Sequence, residues 1–174
     1  MTDTEYFDKW FKVPLDQLSM NPNAGFIVLI TSLTLLERYL REKSGIFESP
    51  NLDDRFYVEF VRLFPQVLDK DIATRFWKAC RHGLMHQATF KTKLNETDTI
   101  SEIGIDDTVD VIRYQNRGTE HSFMVSPTKF CKLTLTTIEN DFPTFEGHKS
   151  PNHPLARVVD RDITGSSGYS GYRR

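Results

Sequence analysis

The segment between Asn21 and Gly45 constrains the fold more than any other part of this sequence. Asn21 and Pro22 offer a helix cap and a first-turn proline, and Gly45 is a suitable C-terminal stop. A helix between them would contain about 23 residues and extend roughly 35 Å. Its first half is apolar almost all round, whereas its second half, Glu37 to Lys43, is amphipathic. We therefore predict a central core helix that other helices cover.

Further helices are predicted where apolar residues recur at helical spacing. Residues 3–12 carry an aromatic stripe of Tyr6, Phe7, Trp10 and Phe11. The starting signals of the other helices are Asp53 or Asp54, Asp69, and the pair Ser126-Pro127. Pro65 is expected to end the first of these three, and the second should run to about Met85. The apolar face of the last helix is formed by Cys131, Leu135, Ile138 and Phe142.

The apolar period changes after the helix that begins at Asp69. Residues 88–94 alternate at period two, which predicts a strand with one solvated face. Residues 95–107 are expected to form a polar loop. Residues 108–114 and 120–125 are predicted strands, and Asn116-Arg117-Gly118 between them indicates a hairpin.

These segments together predict a mainly α protein, a helical bundle of about five helices. A small β-hairpin or three-strand insert, at about residues 88–125, should follow the fourth helix. We expect one domain over residues 1–142. Residues 143–174, rich in Pro, Gly, Ser, His and charge, are expected to form an extended tail.

Composition narrows the class of protein. The net charge of −2 argues against a surface coated in basic charge, so any RNA site must be a local patch. Cys80 and Cys131 are expected to be buried free thiols. The acidic N-terminus lacks the basic region of a signal peptide, and the apolar run 24–36 is too short to span a bilayer. We therefore expect a cytoplasmic protein. The absence of a Gly-rich phosphate loop and of zinc-finger spacing weakens kinase and zinc-module interpretations.

The predicted helix from Asp69 ends in Arg81-His82-Gly83-Leu84-Met85-His86. This stretch resembles the signature of HEPN domains, the higher eukaryotes and prokaryotes nucleotide-binding family. That signature has an arginine, a polar residue, a short variable spacer and then a histidine. With Gln87 following, the stretch also resembles bacterial stand-alone members. The resemblance would cover roughly residues 20–142, with the β-insert as an addition.

The resemblance implies a metal-independent endoribonuclease without a cofactor, either a toxin or an antiviral effector, with an antitoxin protein as a possible partner. His86 would act as the general base or acid, because imidazole exchanges protons near neutral pH. Arg81 would stabilise the phosphoryl oxygens, and His82 would orient His86 or bind phosphate. Glu37 would position Arg81 or His86. Cleavage would leave 2',3'-cyclic phosphate and 5'-hydroxyl ends.

The resemblance also implies a homodimer, and helix geometry gives a physical reason for it. On a straight helix, positions 81 and 86 point about 140° apart, so one helix cannot easily aim both side chains at one phosphate. The resemblance implies that two motif helices face each other and form a composite cleft. Four cations near the motif are candidates for gripping an RNA backbone: Arg75, Lys78, Lys91 and Lys93.

Other interpretations of the same residues stay open at this point. His82 and His86 are four residues apart, a spacing found in metal sites. Arg81 and His86 could instead stabilise the helix end through its dipole and pair with Glu37. Glu37 could simply be a solvated residue paired with Arg41, and the four cations a solvated face. The whole chain could also be a non-catalytic HEPN-like binding module.

Overall fold

A computed structural model describes residues 3–46, 51–65, 69–84, 100–117 and 120–145 of the chain. The protein is mostly helical and carries one small three-stranded sheet, as predicted. The predicted strand at residues 88–94 and the tail from residue 146 onward lie outside the described residues. No helix in the described ranges is both long and apolar enough to cross a membrane.

The N-terminal helical segment is longer than predicted. Helix α1 (Asp3–Phe7) continues through a π-helical turn (Asp8–Lys12) into α2 (Val13–Ser19), whereas the sequence predicted an end near residue 12. Pro14 lies in the first turn of α2, directly after the π-helical turn, and has no N–H to donate to the preceding helical turn. The segment buries Phe7 and Leu15 against the rest of the protein.

Helix α3 (Gly25–Lys43) is the predicted central helix, but it begins later than expected. Asn21 is not its cap, because the Asn21 Oδ1 accepts a hydrogen bond from the backbone N–H of Asn23, 2.9 Å away, within a turn. The end of the helix is confirmed. Gly45 has φ of 67°, the left-handed conformation that glycine adopts most easily, just beyond Lys43.

Both predicted aspartate caps of the next two helices are confirmed. Helix α4 (Asp54–Leu63) begins where the Asp53 carboxylate accepts a hydrogen bond from the Arg55 N–H, and α5 (Lys70–Trp77) begins at Asp69, which accepts one from the Ile72 N–H. A second π-helical turn (Lys78–His82) prolongs α5, and residues 83–84 are still helical. The interface of α4 and α5 is aromatic, with the rings of Phe60 and Trp77 5.0 Å apart.

The sheet comprises β1 (Ile100–Ile105), β2 (Ile112–Arg117) and β3 (Glu120–Val125), in the order β1-β3-β2. The antiparallel β2–β3 hairpin is confirmed, although β2 begins at Ile112 rather than at Thr108. The prediction of a loop over residues 95–107 is wrong, because β1 pairs in parallel with β3. A register shift between Ile100 and Glu102 interrupts the alternation that would have revealed this strand.

Helix α6 (Pro127–Phe145) begins as predicted, with Ser126 Oγ accepting a hydrogen bond from the Lys129 N–H. It packs along α3 in the same direction, because Gly25 lies against Pro127 at one end and Tyr39 contacts Asp141 towards the other. The helix extends to Phe145, three residues into the stretch predicted as tail. Its buried face includes Cys131, Leu135 and Ile138 of the four predicted residues; the side chain of Phe142 is outside the description.

Candidate functional site

A single carboxylate on α3 joins two arginines. Glu37 Oε1 accepts a hydrogen bond from Arg41 Nε at 2.8 Å, and Glu37 Oε2 accepts one from Arg81 Nε at 2.5 Å. Arg41 is one helical turn further along α3, whereas Arg81 arrives from the π-helical turn after α5. The Glu37 carboxylate therefore links α3 to the segment that carries the Arg–His motif, which begins at Arg81.

Glu37 is buried rather than solvated. Its residue is 8% exposed, as is Arg41, so the interpretation of Glu37 as a solvated residue is wrong, although its pairing with Arg41 is present. Removing charges from water is costly unless they are paired and hydrogen-bonded. Two guanidinium groups share one carboxylate in this cluster of Glu37, Arg41 and Arg81.

Arg81 is the most accessible member of this cluster. Its side chain is 27% exposed, against 11% for Glu37 and 10% for Arg41. Its neighbours Ala79, Cys80 and Leu84 are buried, so the segment is anchored while the Arg81 side chain reaches the surface. Guanidinium groups carry five N–H donors, and the contact with Glu37 uses Nε. Within the cluster, solvent therefore reaches the Arg81 side chain most easily.

The π-helical turn at Lys78–His82 changes the geometry on which the dimer prediction rests. The separation of about 140° between positions 81 and 86 assumes a straight α-helix. A π turn is wider and shifts the direction of the side chains that follow it, and such turns are frequent at functional sites. The backbone of His82 closes this turn.

Tyr57 of α4 is a neighbour of the cluster that the sequence did not suggest. Burial raises the pKa of its phenol, while a hydrogen bond with Thr74 and the positive charge of Arg81 lower it. The charge of Glu37 acts in the opposite direction and raises the pKa further. The phenol is therefore a neutral group close to both Arg81 and Glu37. The sequence places Tyr57 only on the apolar face of α4, and no local pattern connects it to the motif.

The other predicted site residues are distributed as follows. Arg75 is half-buried on α5, and Lys78 is exposed at the start of the π turn. His86, Lys91 and Lys93 lie outside the described residues, as does the side chain of His82. The structure thus brings Glu37 and Arg81 together, and Arg75 and Lys78 lie on the same helical segment as Arg81.

Both cysteines are buried free thiols, as predicted, and burial raises the pKa of each. Thiols in this state are poor nucleophiles. Within the ranges that the structure describes, no group of three or more His, Cys, Asp or Glu side chains is arranged to hold a metal ion. A groove of about 520 Å³ lies between α2 and α6, away from the Glu37 cluster, with Cys131 and Leu135 among its lining residues.

Comparison with known proteins gives no match: no family model, no curated protein and no solved structure matches this chain.

Proposed function

We propose that the protein is a metal-independent endoribonuclease of the HEPN type, with Arg81 and His86 at its active site. The observation that carries this proposal is the Glu37–Arg81 contact. A buried carboxylate holds the first residue of the Arg–His motif in a fixed position, with part of the Arg81 side chain exposed. A pre-positioned guanidinium of this kind suits the equatorial oxygens of a phosphodiester.

The proposed reaction needs only the RNA and protein side chains. The 2'-hydroxyl oxygen of the RNA attacks the adjacent phosphorus while its proton passes to the general base, and the bond from phosphorus to the 5'-oxygen breaks. A general acid returns a proton to the departing 5'-oxygen. His86 supplies one of these proton transfers, since imidazole exchanges protons near neutral pH. Arg81 stabilises the negative charge that develops on phosphorus oxygens, and the products are a 2',3'-cyclic phosphate and a 5'-hydroxyl.

Two copies of the chain would complete the site. In the proposed homodimer the motif segments of two protomers face each other across a two-fold axis, so that Arg81 and His86 of different chains converge on one phosphate. Glu37 acts as a positioning residue in this arrangement, because it contacts Arg81 and not the substrate. A toxin or antiviral effector restrained by a protein partner is the biological role that we infer from this activity.

The test is cleavage of a single-stranded RNA in the presence of EDTA, with the ends of the products identified by chemical reactivity. Cleavage should persist in EDTA and fall at least a hundredfold in His86→Ala and Arg81→Ala. Arg81→Lys separates catalysis from structure, because lysine retains the charge opposite Glu37 but not the planar fork of donors. We expect Arg81→Lys to fold and to cleave poorly.

Arg62→Ala is the matched control, because Arg62 is an exposed arginine on α4 paired with Glu59. It should cleave as the unmodified protein does. Cleavage that requires a divalent metal, or that survives in both motif variants, would refute the proposal. A folded dimer that binds RNA without cleaving it would instead support the non-catalytic binding module.

A further inference from the structure

A tyrosine and a histidine form a ring pair on neighbouring strands of the sheet. The Tyr114 hydroxyl and His121 Nδ1 are 2.6 Å apart, a hydrogen-bonding distance. The two ring planes are nearly parallel, at 14°, with their centroids 6.0 Å apart. Both residues are partly exposed. Two nearly parallel rings linked by a hydrogen bond are therefore present on strands β2 and β3.

The strand register shows where this ring pair lies. Tyr114 pairs with Phe123 across the β2–β3 ladder, and His121 is two residues before Phe123 on the same face. Phe123 in turn meets Phe76 of α5, with their rings 5.5 Å apart. The ring pair therefore sits beside the contact between the sheet and α5, on the side where His121 extends beyond Phe123.

Arg75 reaches the same place from the helix. It precedes Phe76 on α5, and although burial raises the pKa of the Tyr114 phenol, the charge of Arg75 lowers it. Asp69, at the start of α5, is the acidic group that acts on Tyr114. Arg75 is followed by Lys78 three residues later and by Arg81 after three more residues. Arg75, Lys78 and Arg81 thus belong to one helical segment, which runs from the ring pair towards the proposed active site.

We propose that Tyr114, His121 and Arg75 form a second contact for single-stranded RNA, next to the phosphate held by Arg81. A base of the strand stacks against the ring pair and a backbone phosphate pairs with Arg75. The proposal rests on the proposed function for the nature of the ligand, whereas the contact itself is built from residues outside the Arg–His motif. Because the net charge of the whole chain is −2, the attraction for RNA has to come from a local group of cations such as this one.

The test is binding of a fluorescein-labelled single strand of about twelve nucleotides of mixed sequence, measured by anisotropy. Its riboses carry 2'-O-methyl groups, which block the attacking hydroxyl, so binding is measured without cleavage. His121→Ala should weaken binding about tenfold, because one stacked base is lost. Arg75→Gln should weaken it and reduce the slope of log Kd against log salt by about 0.7. Tyr114→Phe, which keeps the ring, should bind better than His121→Ala.

Two controls lie on the opposite face of the sheet. Gln115→Ala removes an exposed polar side chain from β2, and Arg113→Gln removes an exposed cation from the same strand. Both variants should bind the strand as the unmodified protein does. Thermal midpoints of all variants, followed by circular dichroism, establish that the changes in affinity do not arise from unfolding.

The outcomes separate this inference from the proposed nuclease activity. If Arg81 and His86 are needed for cleavage but His121→Ala and Arg75→Gln bind normally, the second contact is refuted and the nuclease stands. If RNA is never cleaved but binding depends on His121 and Arg75, the nuclease is refuted and the contact stands. Equal losses in Arg113→Gln and Arg75→Gln would also overturn the inference, since binding would then follow total charge.

Discussion

Glu37 contacts two guanidinium groups, and this makes its charge important for stability as well as for the site. Glu37→Gln keeps the shape of the side chain but removes the negative charge that the two arginines share and turns one amide N–H group towards an N–H donor. We expect the free energy of unfolding to fall by about 3 kcal/mol, as measured by urea denaturation. Asp54→Asn, which breaks the exposed pair with Lys70, should cost less than about 1 kcal/mol. Similar losses in the two variants would contradict this prediction.

Asp141 gives a prediction about acid stability. Burial acts to raise the pKa of its carboxyl, but hydrogen bonds from Tyr39 and Lys43 outweigh burial, and the pKa is lowered from its usual value of 3.8. A carboxyl whose pKa is lower in the folded state stabilises the protein above the unfolded pKa. That stability is lost as pH falls through the folded value.

We therefore expect Asp141→Asn to flatten the loss of stability below about pH 4, as measured by urea midpoints at several pH values. Tyr39→Phe removes one of the two hydrogen bonds to Asp141 and should reduce the same acid-induced loss of stability by a smaller amount. If Asp141→Asn loses stability below about pH 4 just as the unmodified protein does, Asp141 is not the source of this acid sensitivity.

Sequence reasoning reached part of the candidate site for an identifiable reason. Glu37 and Arg41 are four residues apart on one helix, so their pairing follows from helical spacing alone. The contact between Glu37 and Arg81 was also expected, but it spans 44 residues and depends on how α3 and α5 pack, so helical spacing alone does not give it. Tyr57 was missed because its place beside the motif also depends on packing.

Among the elements, the end of α3 depends on one glycine. Gly45 adopts φ of 67°, a conformation that places a Cβ close to the following carbonyl in other residues. Gly45→Ala should lower the free energy of unfolding by about 1–2 kcal/mol. Gly45→Asn is the matched variant, because asparagine tolerates this conformation, and it should lose less. A Cβ at position 45 would meet no neighbouring atom, so a steric clash cannot explain a loss of stability. Equal losses of stability in both variants would contradict the explanation by backbone conformation.

Element boundaries were predictable where a side chain caps the helix. Asp53, Asp69 and Ser126 each accept a backbone hydrogen bond at a helix start, and each start was predicted. The start of α3 was not, because its N-cap is Ala24, which offers no side-chain signal, and Asn21 serves a turn instead. Strand β1 was missed because its irregular register hides the alternation and its partner β3 follows it at a distance in sequence.

At the scale of the whole molecule, the proposed dimer can be tested by mixing two inactive variants. If Arg81 and His86 at one site come from different protomers, a dimer of Arg81→Ala with His86→Ala contains one complete site of two. Random exchange of protomers makes about half of the dimers mixed, so the mixture should recover about a quarter of the original cleavage rate.

Each variant alone should be inactive at the same total concentration, and a mixture of Arg81→Ala with Arg81→Lys should stay inactive as a control. No recovery in the first mixture, with exchange demonstrated by differently tagged chains, would place both residues of a site within one protomer.

The pairing of α3 with α6 has a consequence for how the chain is made. The ribosome releases α3 well before α6, since 83 residues lie between Lys43 and Pro127. Protein synthesis adds about 5–20 residues per second, so roughly 4–17 s pass between the end of α3 and the start of α6, and the apolar side of α3 is uncovered by α6 during that time. During this interval the nascent chain exposes an apolar helix face to which chaperones can bind. Because that same helix holds Glu37, we expect the support that Glu37 gives to Arg81 to become rigid only after α6 has been synthesised.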